Sequence, residues 1–289
     1  MQDVWDKVIE IRFPKDFVNR IICGDCLELM KKIPDESIDL VVTSPPYHAN
    51  KHYGRDKRNI ENFDRYEDYL LFMERWFAEA YRIICQDGRA CIVIDDSHTN
   101  LKTEGINKNS GTHARFILMG EKQNFTYKDL IIWAKKRVGH ASGGANYMLG
   151  SFPYPPNIPL VNCFEFIIVF KKEGRPRVKK ISQARKAKSK LSFEEFKWAS
   201  ESMWHIPAER NRKHPCPCPF PVDIPKRLIK LFSFHDDIVL DPFCGSGTTF
   251  LACKQLDRRF IGIEINPEYC KMARNRVYGL ENSLNCESC

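Results

Sequence analysis

Short apolar runs alternate along this chain with longer stretches in which apolar residues recur at helical spacing. Seven short runs have the length and apolar content of buried strands: Arg20–Cys23, Ile38–Thr43, Ala90–Ile94, Lys128–Trp133, Glu165–Phe170, Ile238–Leu240 and Phe260–Glu264. Helical spacing marks four stretches: Tyr66–Cys85, closed by Asp87-Gly88, and Pro221–Phe232, Thr248–Gln255 and Pro267–Tyr278. This alternation predicts an α/β domain with a parallel sheet.

Three polar stretches interrupt the alternation: His48–Phe63, Ser97–Asn124 and Gly139–Asn162. They are rich in charged residues, Gly, Asn or Pro, so we expect loops there. Loops of this length within a compact domain are usually functional.

Composition excludes several classes of protein. The 289 residues are 43% hydrophobic and 12% aromatic, which is enough to build a core and excludes a mainly disordered chain. We find no apolar stretch of the roughly 20 residues that cross a membrane, and no apolar signal peptide at the N-terminus. We therefore expect a soluble cytoplasmic protein.

Twelve cysteines raise the question of disulfides or zinc. Without a secretory signal, a disulfide framework is not expected. Two CxxC pairs, Cys23/Cys26 and Cys286/Cys289, and the Cys216-Pro217-Cys218 segment match no compact zinc-ligand spacing. We predict no metal site.

The charge of the chain is concentrated in one stretch. The whole sequence carries +8, whereas residues 171–190 alone contain ten Lys or Arg and one acidic residue. Such a stretch is most often a solvated loop. Here aromatic residues follow it, at Phe193, Phe196, Trp198 and Trp204, and basic residues beside aromatic ones suit contact with nucleic acid.

A glycine-rich turn follows the predicted strand Ile238–Leu240. Its sequence is Asp241-Pro242-Phe243-Cys244-Gly245-Ser246-Gly247, and a helix is predicted from Thr248. A strand, a glycine turn and a helix start form a nucleotide-binding corner, because glycines let the backbone approach a ligand closely. The next predicted strand ends in Glu264, whose carboxylate can accept hydrogen bonds from both ribose hydroxyls. The absence of GxGxxG and GK[ST] patterns argues against a diphosphate ligand.

A second motif, Thr43-Ser44-Pro45-Pro46-Tyr47, ends the predicted strand Ile38–Thr43. Two prolines cannot continue a strand, and their fixed φ angles hold the neighbouring carbonyls in a set direction. A carbonyl and Ser44 Oγ, beside the face of Tyr47, could bind an exocyclic amino group while a flat ring stacks. On turn chemistry alone, a plain strand-ending turn is the better explanation.

Together the two motifs resemble those of the amino-methylating DNA methyltransferases, which use S-adenosylmethionine. TSPPY precedes DPFCGSGTT, and this permuted order is similar to that of the beta group of these enzymes. Gly24-Asp25, Trp133 and His214-Pro215 also match, so the resemblance covers residues 18–278. It implies a Rossmann-like methyltransferase fold with a doubly wound, mostly parallel seven-stranded sheet in circularly permuted motif order.

The resemblance implies roles for individual residues. The catalytic motif corresponds to Ser44, Pro45, Pro46 and Tyr47, in which Ser44 and a carbonyl bind the amino group of a flipped-out base and Tyr47 stacks on it. The amino nitrogen would then attack the methyl group directly. The residues implied to bind S-adenosylmethionine are Asp25, Asp241, Phe243, Gly245, Gly247, Thr248, Glu264 and Asn266.

The residue before Pro45 bears on the choice of base. In the family, Asp or Asn there usually accompanies adenine N6 methylation, and Ser usually accompanies cytosine N4 methylation. Ser44 thus favours N4-methylcytosine, with adenine N6 as the alternative. Cytosine C5 chemistry needs a Pro-Cys nucleophile after a catalytic strand, but Pro215-Cys216 and Pro217-Cys218 precede the cofactor motif instead.

Matching the family divides the chain into four parts. Residues 1–170 form the catalytic half, 171–213 a target-recognition insertion, 214–280 the cofactor-binding half and 281–289 a C-terminal tail. DNA contacts are expected from Arg175, Arg177, Lys179, Lys180, Arg185 and Lys186, mainly to phosphates. The expected partners are double-stranded DNA and a cognate restriction endonuclease, with the chain a monomer or homodimer and no membrane contact.

Two other functions stay open at this point. One is a methyltransferase that acts on protein or small-molecule amines, and the other is a DNA-binding protein of this fold without turnover. The permuted motif order and the basic stretch argue against the first. Competent residues at each expected position argue against the second.

Overall fold

In the computed structural model of the chain, the described residues form one sheet of eight strands. The structure describes residues 12–47, 63, 65–96, 109–135, 151, 153–156, 160, 163–208 and 220–279. The strands are β1 (Arg20–Cys23), β2 (Ile38–Thr43), β3 (Ile84–Ile94), β4 (Thr126–Ala134), β5 (Phe164–Lys171), β6 (Met203–His205), β7 (Ile238–Asp241) and β8 (Arg259–Glu264). Across the sheet their order is β1-β8-β7-β2-β3-β5-β4-β6.

The direction of the strands determines where a ligand can bind. Strands β1, β8, β7, β2 and β3 are parallel, and β6 is parallel to β4. Strand β5 is antiparallel to both of its neighbours, β3 and β4. The carboxyl ends of the parallel strands therefore meet at one edge of the sheet, where β5 begins. In open α/β sheets, ligands bind at this edge.

Helices cover both faces of the sheet. They are α1 (Cys26–Met30), α2 (Tyr66–Ile83), α3 (Thr112–Lys122), α4 (Gln183–Lys188), α5 (Phe193–Ala199), α6 (Asp223–Phe232), α7 (Thr248–Gln255) and α8 (Pro267–Tyr278). Val41 faces the core that α1, α2 and α3 build, and Leu40 and Val42 face the core of α6, α7 and α8. Burial on both faces explains the continuous apolar run of β2. None of the described helices is both long and apolar enough to span a membrane.

All seven predicted strands and all four predicted helices are present, and four details differ from the expectation. Three short helices, α1, α4 and α5, were not predicted. The sheet has one strand more, β6, whose three residues are too few to show a period. The stretch Ser97–Asn124, expected to be a loop, contains α3, whose N-cap Gly111 (φ 59°) made its start look like a turn. Helix α2 ends at Ile83 instead of Cys85, and Asp87-Gly88, predicted to close it, lie within β3, which begins at the next residue, Ile84. The expected loops His48–Phe63 and Gly139–Asn162 lie largely outside the described residues.

The basic stretch 171–190 lies at the amino-terminal edge of the parallel strands. Strand β5 brings the chain there, and Arg177 Nη2 lies 2.6 Å from Asp39 Oδ1 and 2.7 Å from Asp237 Oδ2. Arg185 Nη2 lies 2.7 Å from the other oxygen of Asp237, which is 1% exposed. Burial and the nearby Asp237 carboxylate raise the pKa of Asp39. The two arginines thus fasten the stretch to β2 and to the start of β7.

Replacing Arg177 by Met should destabilise the fold, because two largely buried carboxylates lose a shared counter-ion while Arg185 still serves one of them. We expect Arg177→Met to lower the free energy of unfolding by about 3 kcal/mol, measured by urea denaturation. The matched control is Lys179→Met, since Lys179 is exposed in the same stretch. Equal stabilities of the two variants would contradict this role for Arg177.

Candidate active site

A buried aspartate at the end of β7 joins three elements of the fold. Asp241 is 1% exposed, and its Oδ1 accepts a 2.7 Å hydrogen bond from Thr43 Oγ1 at the end of β2. Its Oδ2 accepts a 2.6 Å hydrogen bond from Thr249 Oγ1 in the first turn of α7. The backbone N–H of Phe243 also donates to Oδ1. Asp241 therefore holds the glycine turn against the strand that carries Ser44.

The environment of Asp241 raises the pKa of its carboxyl group. Burial raises the pKa of this carboxyl to about 6, although the hydrogen bonds from Thr249, Thr43 and the Phe243 backbone oppose the shift. Desolvation disfavours the charged form, whereas each donor favours it. Loss of these donors would leave a carboxylate buried without compensation.

The glycines of the turn have conformations that side chains would disturb. Gly245 and Gly247 have φ values of 50° and 79°. A Cβ on Gly247 would lie 3.0 Å from Ala273 Cβ in α8, so this glycine also allows the turn to pack closely on that helix. The Gly245 N–H donates to Glu264 Oε2 at 2.9 Å. The turn is thereby fixed between α8 and the end of β8.

Glu264 lies at the centre of the predicted cofactor residues. It is 9% exposed, and its Oε1 accepts a 2.9 Å hydrogen bond from the N–H of Asn266, the N-cap of α8. An ionised carboxylate offers about four acceptor sites, so it can hold the turn and also accept from ligand hydroxyls. The Gly24 N–H donates to the backbone carbonyl of Glu264, which brings Asp25 to the same edge.

All eight predicted cofactor residues lie where β1, β8 and β7 end: Asp25, Asp241, Phe243, Gly245, Gly247, Thr248, Glu264 and Asn266. Asp25 also caps α1 by accepting from the Glu28 N–H at 3.0 Å. The ends of two strands thus offer hydrogen-bond acceptors, and the glycine turn and the start of a helix beside them offer backbone N–H donors. This combination fits a ligand that consists of a nucleoside and an amino-acid group.

The second motif follows β2 at the same edge. Ser44 is half-buried, and Tyr47 is 5% exposed. The hydroxyl of Tyr47 lies 3.3 Å from Ser44 Oγ and donates to Glu165 Oε2 at 3.0 Å. Thr43, next to Ser44, holds Asp241 as described above. The structure therefore brings the predicted catalytic turn, Ser44 to Tyr47, next to the predicted cofactor turn.

Sequence reasoning missed two charged residues at this site. Glu165 lies at the start of β5 and is 5% exposed, and Lys135 Nζ, just after β4, donates to its Oε1. Because β4 and β5 are antiparallel, the end of one meets the start of the other. A glutamate between two phenylalanines in a strand was the available signal, since charged residues are rarely buried without a partner.

The six predicted DNA contacts lie elsewhere. The stretch that contains Arg175, Arg177, Lys179, Lys180, Arg185 and Lys186 is at the amino-terminal edge, opposite Ser44. The charges of Arg177 and Arg185 are paired with aspartates, whereas Arg175, Lys179 and Lys180 are exposed. The structure does not bring these residues together with the catalytic turn, and their contact with DNA stays a prediction.

The described residues contain no group of three or more His, Cys, Asp or Glu side chains that could hold a metal ion. Several thiols in this part of the chain are buried in the core, and burial raises the pKa of Cys91 and Cys253. Such cysteines act as small apolar side chains. Cys216, Cys218, Cys286 and Cys289 lie outside the described residues.

Comparison with known proteins identifies related sequences over most of the chain. A family model described as DNA methylase matches residues 38–275. The type II methyltransferase M.MjaI of Methanocaldococcus jannaschii is 33% identical, over 86% of this chain and 87% of that protein. M.HpaI of Haemophilus parainfluenzae, also a type II methyltransferase, is 29% identical, over 89% and 74% of the two chains.

Solved structures share the fold. TTHA0409 from Thermus thermophilus, determined in complex with S-adenosyl-L-methionine, superposes with a TM-score of 0.72 at 31% identity and covers 90% of this chain and 93% of its own. A structure named PvuII DNA methyltransferase (cytosine-N4-specific) gives a TM-score of 0.67 at 21% identity, with coverage of 91% and 87%. The second likeness concerns the fold alone.

The pH dependence of stability tests the buried carboxyl of Asp241. A carboxyl with a raised pKa binds its proton more tightly in the folded than in the unfolded chain, so its contribution to stability is largest in acid and falls as the pH rises through about 6. We expect the free energy of unfolding of the unmodified protein, relative to Asp241→Asn, to fall by about 2 kcal/mol from about pH 4 to about pH 7.5.

Urea denaturation over this pH range measures that difference. Asp129→Asn, which removes an exposed aspartate from β4, controls for the loss of one carboxyl at the surface. A difference between the unmodified protein and Asp241→Asn that is constant with pH would contradict the raised pKa.

Proposed function

The chain belongs to the N6/N4 DNA methylase family, and from this premise we propose that it methylates the N4 amino group of a cytosine in double-stranded DNA. At the coarser level it is a DNA methyltransferase of the amino-methylating class that uses S-adenosylmethionine. The alternative within the proposal is the same chemistry at adenine N6.

One observation carries the proposal: the hydrogen bond between Thr43 and Asp241 joins the strand that precedes the predicted catalytic residue Ser44 to the turn predicted to bind the cofactor. Glycines at 245 and 247 and the carboxylate of Glu264 would hold the cofactor at the ends of β7 and β8. Ser44 follows Thr43 directly. An acceptor for an amino group thus lies next to the residues that would bind the methyl donor.

The chemistry follows from what these residues can bind. Bound S-adenosylmethionine supplies an electrophilic methyl group. The target base must leave the duplex, because its amino nitrogen is inaccessible within the stack. Ser44 Oγ and the carbonyl of Pro45 would accept hydrogen bonds from the NH₂ group, which favours a tetrahedral nitrogen whose lone pair is no longer delocalised into the ring. Orientation of the two reactants supplies much of the acceleration.

Ser44 also supports the choice of cytosine N4. In the family, serine before the two prolines usually accompanies this product, whereas aspartate or asparagine usually accompanies N6-methyladenine. Both amino groups need similar acceptors, so the residue correlates with the product and does not by itself dictate it.

The proposed partners are double-stranded DNA and a cognate restriction endonuclease. The relatives M.MjaI and M.HpaI carry the type II designation, which is the basis for extending a restriction-modification context to this chain. Methyl acceptors other than DNA have no support from the family. A DNA-binding protein without turnover would be expected to lack the acceptor at Ser44.

Nucleoside mass spectrometry tests the proposal directly. Unmethylated DNA incubated with the protein and S-adenosylmethionine should yield N4-methylcytosine.

Ser44→Ala should lower kcat by about 100-fold or more, because one oriented hydrogen bond to the reacting group is lost. Calorimetry should show that Ser44→Ala still binds S-adenosylmethionine with its original affinity.

Ser200→Ala, at an exposed serine after α5, is the matched control and should keep full activity. N6-methyladenine as the product would retain the mechanism and refute the choice of base. Full activity of Ser44→Ala would refute the role of its hydroxyl.

Salt dependence tests the predicted DNA contacts of the basic stretch. Each lost phosphate contact reduces the slope of log K against log salt by about 0.9. Since the stretch lies at the edge opposite Ser44, we expect the triple variant Lys179→Gln/Lys180→Gln/Lys186→Gln to keep both kcat/KM and this slope. A shallower slope with weaker DNA binding would instead support the phosphate contacts predicted from the sequence.

A further inference from the structure

A chain of polar contacts runs from the catalytic serine into the protein. Ser44 Oγ lies 3.3 Å from the Tyr47 hydroxyl, and this hydroxyl lies 3.0 Å from Glu165 Oε2. Lys135 Nζ contacts the other carboxylate oxygen, Glu165 Oε1. The two inner members are largely removed from solvent, with 5% of Glu165 and 21% of the Lys135 side chain exposed.

The chemistry of the inner members determines the direction of every hydrogen bond in this chain. An ammonium group can only donate, and an ionised carboxylate can only accept. The Tyr47 hydroxyl must therefore use its single proton toward Glu165. Ser44 in turn must donate its own proton to the Tyr47 oxygen. What remains on Ser44 Oγ is acceptor capacity alone.

This direction matters because a serine hydroxyl is otherwise ambivalent. An aspartate before the two prolines would accept from an amino group without help. A serine can donate as well as accept, and a hydroxyl that donated its proton toward the amino nitrogen would occupy the lone pair that has to attack. A serine at this position therefore needs a neighbour that takes up its proton.

We propose that Glu165, held by Lys135, is a positioning residue that acts through Tyr47 to make Ser44 an obligatory acceptor for the amino group of the target base. The inference rests on the proposed function. It assigns to Tyr47 a polar role in addition to stacking, and it gives the Lys135–Glu165 ion pair a task beyond stability.

Glu165→Gln is the sharpest single substitution, because it preserves the shape of the side chain while it replaces one carboxylate oxygen by an amide NH₂ group and removes the charge that pairs with Lys135. Lys135, a donor, attracts the amide oxygen, so the amide NH₂ faces Tyr47 and donates to it. The Tyr47 proton must then turn toward Ser44, which reverses the chain. We expect kcat to fall about 100-fold, with the KM for DNA and the affinity for S-adenosylmethionine unchanged.

A double variant separates direction from mere structural support. In Lys135→Met/Glu165→Gln no ammonium group holds the amide oxygen, so the amide can rotate and accept from Tyr47 again. We expect the double variant to recover kcat at least about 10-fold over Glu165→Gln, although it has lost two side chains of the ion pair. A structural role predicts the opposite, namely a double variant that is no better than the single one.

We would compare the variants by steady-state kinetics on duplex DNA. Melting curves check their folding, and calorimetry checks cofactor binding. The matched control is Glu173→Gln, which changes an exposed glutamate near the opposite edge and should keep kcat. Should Glu165→Gln fail to fold, Tyr47→Phe tests the same chain, since it keeps the ring and removes the partner of the Ser44 proton. It should show the same loss of kcat at constant KM.

The outcomes distinguish this inference from the proposed function. No methylated nucleoside from the unmodified protein would refute the function. Methylation by the unmodified protein together with kcat for Glu165→Gln within about threefold, or no recovery in the double variant, would refute the inference alone.

Discussion

A buried carboxylate between two threonines fixes the relation of the two functional turns. Asp241 accepts hydrogen bonds from Thr43 and Thr249, and the first of these partners is 198 residues away in sequence. A buried ionisable group without donors is costly, so the fold retains both partners where they are. Because Ser44 follows Thr43 and the glycine turn follows Asp241, these hydrogen bonds determine where Ser44 lies relative to the turn that is predicted to bind the cofactor.

The order of strands explains why the order of motifs along the chain is unimportant for the site. Strand β7 lies between β2 and β8, and β1 is next to β8, so the four strand ends that carry site residues are neighbours. All four are parallel, which brings their carboxyl ends to one edge. A permuted chain can therefore assemble the same edge as long as each strand keeps its place in the sheet.

The local sequence pattern was sufficient to predict the strands, the four helices that it marked and the two turns. Burial and turn formation both constrain the types of residue at neighbouring positions, so they can be recognised in the sequence. It could not identify Glu165 as the partner of Tyr47, since that contact depends on β5 being antiparallel. Nor could it show that Asp241 is enclosed by threonines, because one of them lies on another strand. Helix α3 was hidden by the glycine at its start, and β6 by its length. Sequence periodicity predicts local secondary structure, but it does not tell which side chains from distant parts of the chain contact each other.

The basic stretch shows that a cluster of charge does not by itself locate a segment within the fold. Ten cations in 171–190 suggested a DNA-facing segment, yet β5 carries the chain away from Ser44, and Asp237 holds two of the arginines at the far edge. The chain returns only through β6, which is parallel to the end of β4 and points to the carboxyl edge again. Within the described part of 171–213, the residues from β6 onward therefore approach the edge of the sheet that carries Ser44. The preceding cations lie at the opposite edge, and their contact with DNA stays a prediction.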